Sequence, residues 1–305
     1  MASVFERVAG PFPGALGGVA WDGTGVLFSL IDEMTIKKFD PATGQVTDAR
    51  LYTGRVNGIA HEATTGIVYA CQEGGRRVIQ YLPDGSAAIT TTRFNGAVHN
   101  HPADLTLDRA GRIWFSDPHN GVQAFGPQVF PPLEHASVLR LERDDRRAWV
   151  IRRVTFDTAA PRAVLLAADE KTLYVSEGTA DSAAPRELRA YPVNADGSVG
   201  PYVVFHTFGK DHRGAQRGIE GLCLDHEGNI VACGGWRKSG PGPLVYVFAP
   251  DGRLLETHPL PCDAPVRCAF GDADGARLYV TGGDGSLYAG RIGSRRVPAQ
   301  SRRAS

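Results

Sequence analysis

The chain lacks long apolar runs and paired cysteine motifs. No window of the 305 residues approaches the length of a membrane span. The start, MASVFERVAG, carries charges and no apolar core of the kind found in signal peptides. The five cysteines are an odd number and form no CxxC pair. We therefore expect a cytoplasmic protein with reduced thiols. Cys223 and Cys233 fall on one predicted hairpin, where buried apolar packing is favoured over a bridge.

The sequence also lacks an excess of charge and the common catalytic motifs. Lys and Arg number 33, as do Asp and Glu, and the net charge is zero. This balance argues against nucleic acid or a membrane surface as a partner, and a small molecule is the expected one. No glycine-rich phosphate loop, GxSxG or HExxH motif occurs, which argues against nucleotide cofactors and serine-hydrolase chemistry. Oligomeric state stays open.

One phrase recurs six times along the chain. An apolar run is followed by a turn with an acidic or small residue and often Gly, and then by a second apolar run. The copies begin at Gly18, Gly58, Asp104, Ala163, Gly221 and Cys268, with spacings of 40, 46, 59, 58 and 47 residues. Repeats of this length built from short strands are typical of propeller blades.

The repeat predicts an all-β fold, a six-bladed β-propeller. Its strands are almost continuously apolar, as expected for strands buried on both faces between neighbouring blades. We predict one domain over residues 1–292, with a strand around Ser3–Val8 closing the last blade beside Leu287–Ile292. Residues 293–305 are rich in arginine and are expected to form a basic, disordered tail.

Polar residues recur where each inner strand should meet the central channel. The residues at these positions are Gly17, Asn57, Ala103 with Asp104, Arg162, Glu220 and Arg267. His99 and His101 precede the third strand, and Glu73, Asp117, His119 and Glu177 lie at or just beyond the ends of second strands. Their recurrence in phase with the repeat predicts a site in the channel.

Several passages resemble the SMP-30/gluconolactonase/luciferin-regenerating-enzyme family. The clearest is HPADLTLDRAGRIWFSDP (His101–Pro118), and RGIEGLCLDHEGNIVACGG (Arg217–Gly235) is similar to a later blade. The resemblance covers roughly Leu16 to Ile292. It implies a propeller that opens lactones with one divalent metal, such as Ca, Zn, Mn or Fe, in the channel.

The metal ligands implied by this resemblance are largely missing. The family's Glu falls at Gly17 or Gly18, its blade-four Asn at Arg162 and its blade-five Asp at Glu220. The substrate-contacting Asn falls at Ala103. A guanidinium about 4 Å from a doubly charged ion repels it by roughly 8 kcal/mol at an effective dielectric near 20. We therefore expect no metal at the usual site and predict that Arg162 pairs with Glu220 across the channel.

The candidate catalytic residues are Glu220, Arg162, His99 and His101. Arg162 is expected to stabilise an oxyanion, and Glu220 or a histidine to move protons. If His99 and His101 shared one face of a strand, their two imidazoles could bind zinc or iron, and ordinary hydrogen bonding is the alternative. The candidate substrate-binding residues are Asn57, Asp104, His119, Glu177, Arg267 and Trp236. Structural roles compete at two of these: backbone bonding for Asp104 and interblade pairing for Arg267. Trp236 lies in a Gly/Pro-rich loop that is a candidate lid. The basic segment Lys210–Gly218 either attracts an anionic substrate or is a solvated loop.

Three functions remain compatible with these residues. The first is hydrolysis of a small lactone or related cyclic ester, with altered or absent metal dependence. The second is a metal-free lyase, isomerase or condensation reaction on the same propeller, as in strictosidine-synthase-like propellers. The third is binding of a small molecule without turnover. Turnover of simple lactones separates the first from the others.

Overall fold

Six four-stranded antiparallel sheets and two short hairpins contain all the strands of the described residues. The computed structural model describes residues 5–119, 133–181 and 184–292. The chain starts with β1 (Phe5–Ala9), which belongs to the last sheet. Blade one contains β2 (Leu16–Trp21), β3 (Val26–Leu30), β4 (Thr35–Phe39) and β5 (Val46–Arg50). Blade two contains β6 (Val56–His61), β7 (Val68–Gln72), β8 (Arg77–Tyr81) and β9 (Ala87–Ile89).

Blades three and four follow the first short hairpin. The hairpin consists of β10 (Arg93–Phe94) and β11 (Ala97–Val98). Blade three contains β12 (Asp104–Leu107), β13 (Ile113–Asp117), β14 (Ser137–Arg143) and β15 (Trp149–Arg153). Blade four contains β16 (Pro161–Leu166), β17 (Thr172–Glu177), β18 (Arg186–Pro192) and β19 (Val203–Phe208).

Blades five and six follow a second short hairpin. This hairpin consists of β20 (Lys210–Asp211) and β21 (Gly214–Ala215). Blade five contains β22 (Ile219–Leu224), β23 (Ile230–Trp236), β24 (Ser239–Phe248) and β25 (Leu254–Pro259). Blade six contains β26 (Pro265–Gly271), β27 (Arg277–Gly282) and β28 (Leu287–Arg291), with β1 as its fourth strand.

The two ends of the described chain meet in blade six. Phe5 lies opposite Gly290 and Ala9 opposite Leu287, so β1 and β28 run antiparallel. The predicted closure by an N-terminal strand is therefore confirmed, and the edge of β28 is paired. The predicted basic tail, residues 293–305, lies outside the described residues.

The apolar core lies between the blades. Among the described residues, buried apolar side chains form one cluster at each interface between neighbouring blades. Between blades three and four, for example, Trp114, Leu173 and Tyr191 are at most 1% exposed. Burial on both sheet faces explains the nearly continuous apolar runs of the repeat.

Glycine allows the inner strands to approach one another closely. A Cβ at Gly18 would lie 2.5 Å from the backbone nitrogen of Ile59 in blade two. A Cβ at Gly221 would lie 2.6 Å from Cα of Arg267 in blade six. The backbones of neighbouring inner strands therefore lie close together at these glycines. Toward the hairpins that end the inner strands, a cavity of about 490 Å³ opens.

Within the described ranges, no helix is both long and apolar enough to span a membrane.

Candidate functional site in the channel

Five of the six inner strands carry a β-bulge directly after their first residue. In blades one, two, four, five and six, the register of the inner hairpin shifts just after Leu16, Val56, Pro161, Ile219 and Pro265. The next residue of each strand therefore occupies an equivalent position. These residues are Gly17, Asn57, Arg162, Glu220 and Val266. The prediction that Arg267 is equivalent to Arg162 was wrong by one residue. Arg162 directly follows Pro161 at the bulge, whereas Val266 follows Pro265 and Arg267 comes one position later.

Arg162 and Glu220 form the predicted ion pair. Both Nε and a terminal nitrogen of Arg162 lie 3.0 Å from Oε2 of Glu220. The pair joins the neighbouring blades four and five, so it does not cross the channel as predicted. The Arg162 side chain is 23% exposed and that of Glu220 8% exposed, so the guanidinium reaches solvent while the carboxylate lies behind it. The Glu220 charge raises the pKa of Arg162 above its usual value.

A second arginine approaches the other oxygen of Glu220. A terminal nitrogen of Arg217 lies 3.6 Å from Oε1 of Glu220 and donates to the carbonyl of Pro265 at 2.7 Å. Burial alone would raise the pKa of Glu220, but Arg162, Arg217 and Arg267 together outweigh burial and lower it to about 2. Glu220 is therefore ionised throughout the physiological range and fixes the guanidinium groups in place.

Arg267 holds the channel wall together. Its Nε lies 3.1 Å from Oδ1 of Asp104, and a terminal nitrogen donates to the carbonyl of Ala103 at 3.0 Å, so it links blade six to blade three. Its other terminal nitrogen donates to the carbonyls of Glu220 and Val266. These contacts are the interblade pairing that competed with a substrate-binding role. They occupy the guanidinium with protein groups.

Asp104 is buried beside Arg267 and contacts the next blade. Its Oδ2 accepts the backbone N–H of Val164 at 3.3 Å, which is the backbone role considered from the sequence. Burial raises the pKa of Asp104 even with Arg267 alongside. At the channel centre, Arg162, Arg217 and Arg267 face two carboxylates, Glu220 and Asp104, which leaves one positive charge in excess. This charge suits an anion or a polarised carbonyl oxygen.

The two histidines before blade three do not share a strand face. His99 is fully buried, its Nε2 lies 3.2 Å from the carbonyl oxygen of Thr91, and its ring packs edge-on against Phe115. His101 is half-buried, and its backbone N–H bonds to Pro118. The segment is pinned by Asp117, which accepts the N–H of Asn100 at 2.8 Å. The proposed two-imidazole metal site therefore has no support in the geometry, and neither does proton transfer by His99.

Burial of His99 predicts sensitivity to acid. Burial lowers the pKa of His99 to about 4, whereas an unfolded histidine titrates near 6.5. The unfolded state therefore binds more protons below neutral pH, and stability falls as the pH drops from about 6.5 toward 4. We expect a loss of about 2 kcal/mol between pH 7 and pH 5 from this group. Urea unfolding of wild type and of His99→Gln at pH 7 and at pH 5 measures this loss of stability.

The matched control for this experiment is His258→Gln. His258 lies 2.9 Å from Glu256 on the outermost strand of blade five, and its side chain is 20% exposed. That variant should keep the acid sensitivity of the wild type. If His99→Gln kept it as well, another group would be its source.

Asn57 and Glu177 differ in how they present their polar atoms. Asn57 is half-buried on β6, and its Oδ1 is buried without a hydrogen-bond partner. Glu177 is 2% exposed, and its Oε1 accepts the N–H groups of Ala159 and Ala160 at 2.8 and 2.7 Å. Burial raises the pKa of Glu177. Oδ1 of Asn57 thus remains an unused hydrogen-bond acceptor in the channel wall. Glu177 instead binds the backbone of the loop before blade four.

His119 and Trp236 lie at or just beyond the ends of second strands. Arg217 donates to the carbonyl of Gly235, the neighbour of Trp236, at 3.4 Å. His119 is exposed at the end of a described range. Trp236 ends β23, lies opposite Ser239 and donates to its Oγ at 2.6 Å. The predicted Gly/Pro-rich lid around Trp236 is thus a tight strand hairpin. It is tied to the β20–β21 hairpin by a bond from Gly240 N–H to Asp211 at 2.9 Å, so the basic segment is part of this rim structure.

Comparison with known proteins places this site in a family. A model described as the SMP-30/gluconolactonase/LRE-like region matches residues 17–284. The chain belongs to this family. It is 26% identical over 220 residues to a gluconolactonase from Zymomonas mobilis, an alignment that covers 71% of this chain and 58% of that protein. The chain therefore spans less than two thirds of the length of this relative.

Solved structures of the family have the same fold. A gluconolactonase from Xanthomonas campestris is 27% identical, with a TM-score of 0.74 over 95% of this chain and 88% of that chain. A calcium-binding regucalcin from Agrobacterium tumefaciens is 17% identical, with a TM-score of 0.70 over 95% of this chain and 93% of that chain. At that identity, the second likeness shows the fold alone.

The residues of this family member do not fit a divalent metal at the usual position. Gly17 offers no side chain, and Arg162 brings a positive charge. The carboxylate of Glu220 is already bound by Arg162 and Arg217. Hard cations need several oxygen ligands. In the part of the chain that the structure describes, no group of three or more His, Cys, Asp or Glu side chains is placed to hold a metal.

Sequence reasoning singled out Arg217 only as part of the basic segment Lys210–Gly218, and it missed the contact of Arg217 with Glu220 and the pair formed by Arg55 and Glu73. Arg217 lies in the loop before β22, three residues ahead of Glu220, outside the strand positions that the repeat aligns. A terminal nitrogen of Arg55 lies 3.4 Å from Oε2 of Glu73, and Arg55 also pairs with the exposed Asp32. The Glu73 charge contributes to the raised pKa of Arg162, so the electrostatic network extends into blade two.

Proposed function

We propose that the chain hydrolyses a small lactone or related cyclic ester in the central channel, without the usual divalent metal. The observation that carries the proposal is the Glu220 carboxylate held between Arg162 and Arg217, with Arg267 behind it and one positive charge in excess. Two relatives in the family are named gluconolactonase, which supports this reaction class. The site replaces the charge of a cation by fixed guanidinium groups.

The proposed chemistry follows from the charges and exposure of these groups. Water attacks the lactone carbonyl carbon, and Arg162 stabilises the oxyanion that forms, supported by Arg217. The ring carbon–oxygen bond then breaks, and the proton lost by water ends on the ring oxygen that leaves. Glu220 is too weak a base to carry that proton, since its pKa is about 2. We assign the proton transfer to the half-buried His101 and the positioning of both arginines to Glu220.

Turnover of simple lactones tests this proposal. We expect hydrolysis of an aldono-lactone or aryl lactone to persist after treatment with a chelator, because the donor set does not hold a hard cation. Arg162→Met is expected to lower kcat/KM by about 100-fold, the usual effect of removing one oxyanion donor. A pH-stat assay of ring opening across a lactone panel measures both.

The matched control is Arg152→Met, which removes an arginine whose side chain is 65% exposed on blade three. It should leave kcat/KM unchanged. Loss of activity on chelation would contradict metal independence. Unchanged kcat/KM in Arg162→Met would contradict the assigned role of this residue.

A binding protein without turnover is the second candidate. The observation that favours it is the completeness of the Glu220 pairing, because a carboxylate with a pKa of about 2 and two arginine partners is not poised for proton transfer. Such a site would take an aldonate-like carboxylate beside Arg162. Calorimetric binding of the open-chain acid, with no turnover of any lactone in the panel, would support this alternative over the first.

A further inference from the structure

Three thiols meet where blades five and six adjoin. The thiol of Cys223 donates to the sulfur of Cys268, and the two sulfur atoms are 3.6 Å apart. Cys233 is part of the same buried cluster, beside the close approach of Gly221 to β26. All five cysteines of the chain are free thiols in this structure. The pair Cys223–Cys268 thus joins two different blades through sulfur atoms already in contact.

The cavity at the hairpin end of the channel reaches two of these thiols. Cys223 is partly buried, and both Cys223 and Cys268 line the cavity of about 490 Å³. Cys233 is fully buried and does not line it. A water molecule occupies about 30 Å³ in the liquid, so a hydroperoxide of similar size has ample room. The cavity therefore gives small oxidants access to Cys223.

We propose that Cys223 and Cys268 form a reversible disulfide when the protein meets a hydroperoxide. The sulfur of Cys223, as thiolate, attacks one peroxide oxygen, the O–O bond breaks, and the first water or alcohol leaves, which produces a sulfenic acid on Cys223. The sulfur of Cys268 then attacks the sulfur of Cys223 and displaces its hydroxyl as water. The two thiol protons end on the two leaving oxygens. Two thiols are oxidised and one peroxide is reduced.

The assignment of roles follows from exposure. Cys223 meets the oxidant because it is only partly buried, whereas Cys268 is 5% exposed. Cys268 acts second because its sulfur already contacts the sulfur on which the sulfenic acid forms. The sulfur atoms must close from 3.6 Å to about 2.05 Å, a movement on the scale of side-chain rotation.

The register of blade five disfavours the pairing considered from the sequence. Cys223 lies opposite Val231, and Cys233 lies opposite Gly221, so Cys223 and Cys233 are diagonal neighbours in the hairpin. Diagonal neighbours in a sheet are further apart than directly opposed residues. The contact with Cys268 comes instead from the adjacent inner strand. A Cβ at Gly221, two residues before Cys223, would lie 2.6 Å from Cα of Arg267, which shows how close these strands are.

The bond would tether the two strands that hold the charged site. Cys223 follows Glu220 by three residues on β22, and Cys268 directly follows Arg267 on β26. Glu220 and Arg267 are themselves joined through the Glu220 carbonyl. Oxidation would therefore restrict the relative movement of these strands. Mass spectrometry detects this disulfide directly, so the test does not depend on whether the proposed hydrolysis is correct.

Mass spectrometry of the full chain tests the proposal. Reduced protein is treated with hydrogen peroxide, quenched with N-ethylmaleimide, denatured and digested without reductant. We expect a peptide that links Cys223 to Cys268, two fewer alkylated thiols, and recovery of both thiols with dithiothreitol. Cys223→Ser should abolish the link, whereas Cys233→Ser should retain it.

Three results would overturn the proposal. These are a link between Cys223 and Cys233, oxidation of Cys223 to acids without any link, and no change at Cys223 under peroxide that oxidises the partly buried Met34. The peptide map of the oxidised wild-type protein shows which of these results occurs, even if Cys233→Ser does not fold.

Discussion

Replacing Glu220 with glutamine is expected to lower the free energy of unfolding by about 3 kcal/mol near neutral pH. The substitution keeps the size of the side chain but leaves Arg162 and Arg217 without their buried counter-charge. Removing one partner of a buried ion pair typically costs about 3–5 kcal/mol, because the remaining charge stays desolvated. Urea unfolding followed by tryptophan fluorescence at neutral pH measures the difference.

The pH dependence of this effect provides an independent check. The pKa of Glu220 is about 2 in the folded protein and near 4.5 when unperturbed. A depressed pKa stabilises the fold fully above the unfolded value, and that stability is lost as the pH falls toward about 2. The shift corresponds to roughly 3 kcal/mol, in agreement with the ion-pair argument. The difference between wild type and Glu220→Gln should therefore shrink when both are unfolded at about pH 3.

The control for both measurements is Glu6→Gln. Glu6 pairs with Arg277 on the surface, and its side chain is 72% exposed. Exposed pairs contribute about 0–1 kcal/mol, so this variant should unfold almost like the wild type. Equal stability of Glu220→Gln and wild type at both pH values would show that Glu220 is not the anchor of the arginines.

The fold was predictable because one physical pattern repeats. Each inner hairpin is buried on both faces, and this burial produces the apolar runs that recur from Gly18 to Cys268. The closing strand β1 was predictable for a related reason. Without it, the edge of β28 would remain unpaired. The Arg162–Glu220 pair followed from two opposite charges at equivalent positions of neighbouring blades.

Other features of the site depend on local geometry that the pattern does not encode. The apolar runs do not show which residue of each strand falls at the shared bulge, so the sequence did not reveal that Val266 takes this position and that Arg267 follows it. The interpretation of His99 and His101 assumed an extended strand, whereas Asp117 and Arg76 hold the backbone of this segment. The Trp236 hairpin was taken for a loop because its glycines and prolines outweigh its apolar residues.

Replacing Arg267 with methionine is expected to destabilise the protein by about 3–5 kcal/mol. The guanidinium joins blades three and six through Asp104 and Ala103, and it also donates to the carbonyl of Glu220 in blade five. Methionine has a similar length but donates no hydrogen bond, so Asp104 becomes a buried, unpaired carboxylate. Lysine should rescue little, because a single ammonium cannot match the geometry of the guanidinium fork. Urea unfolding at neutral pH measures each variant.

A double-mutant cycle separates the ion pair from its surroundings. Adding Asp104→Leu to Arg267→Met removes the stranded carboxylate, and we expect the double variant to regain part of the lost stability. Arg277→Met, which removes an arginine paired with the exposed Glu6, is the control and should change stability by about 1 kcal/mol or less. If Arg267 instead served mainly to bind substrate, Arg267→Met would keep its stability while KM rose. The unfolding midpoint and KM therefore distinguish the two roles that the sequence left open for this residue.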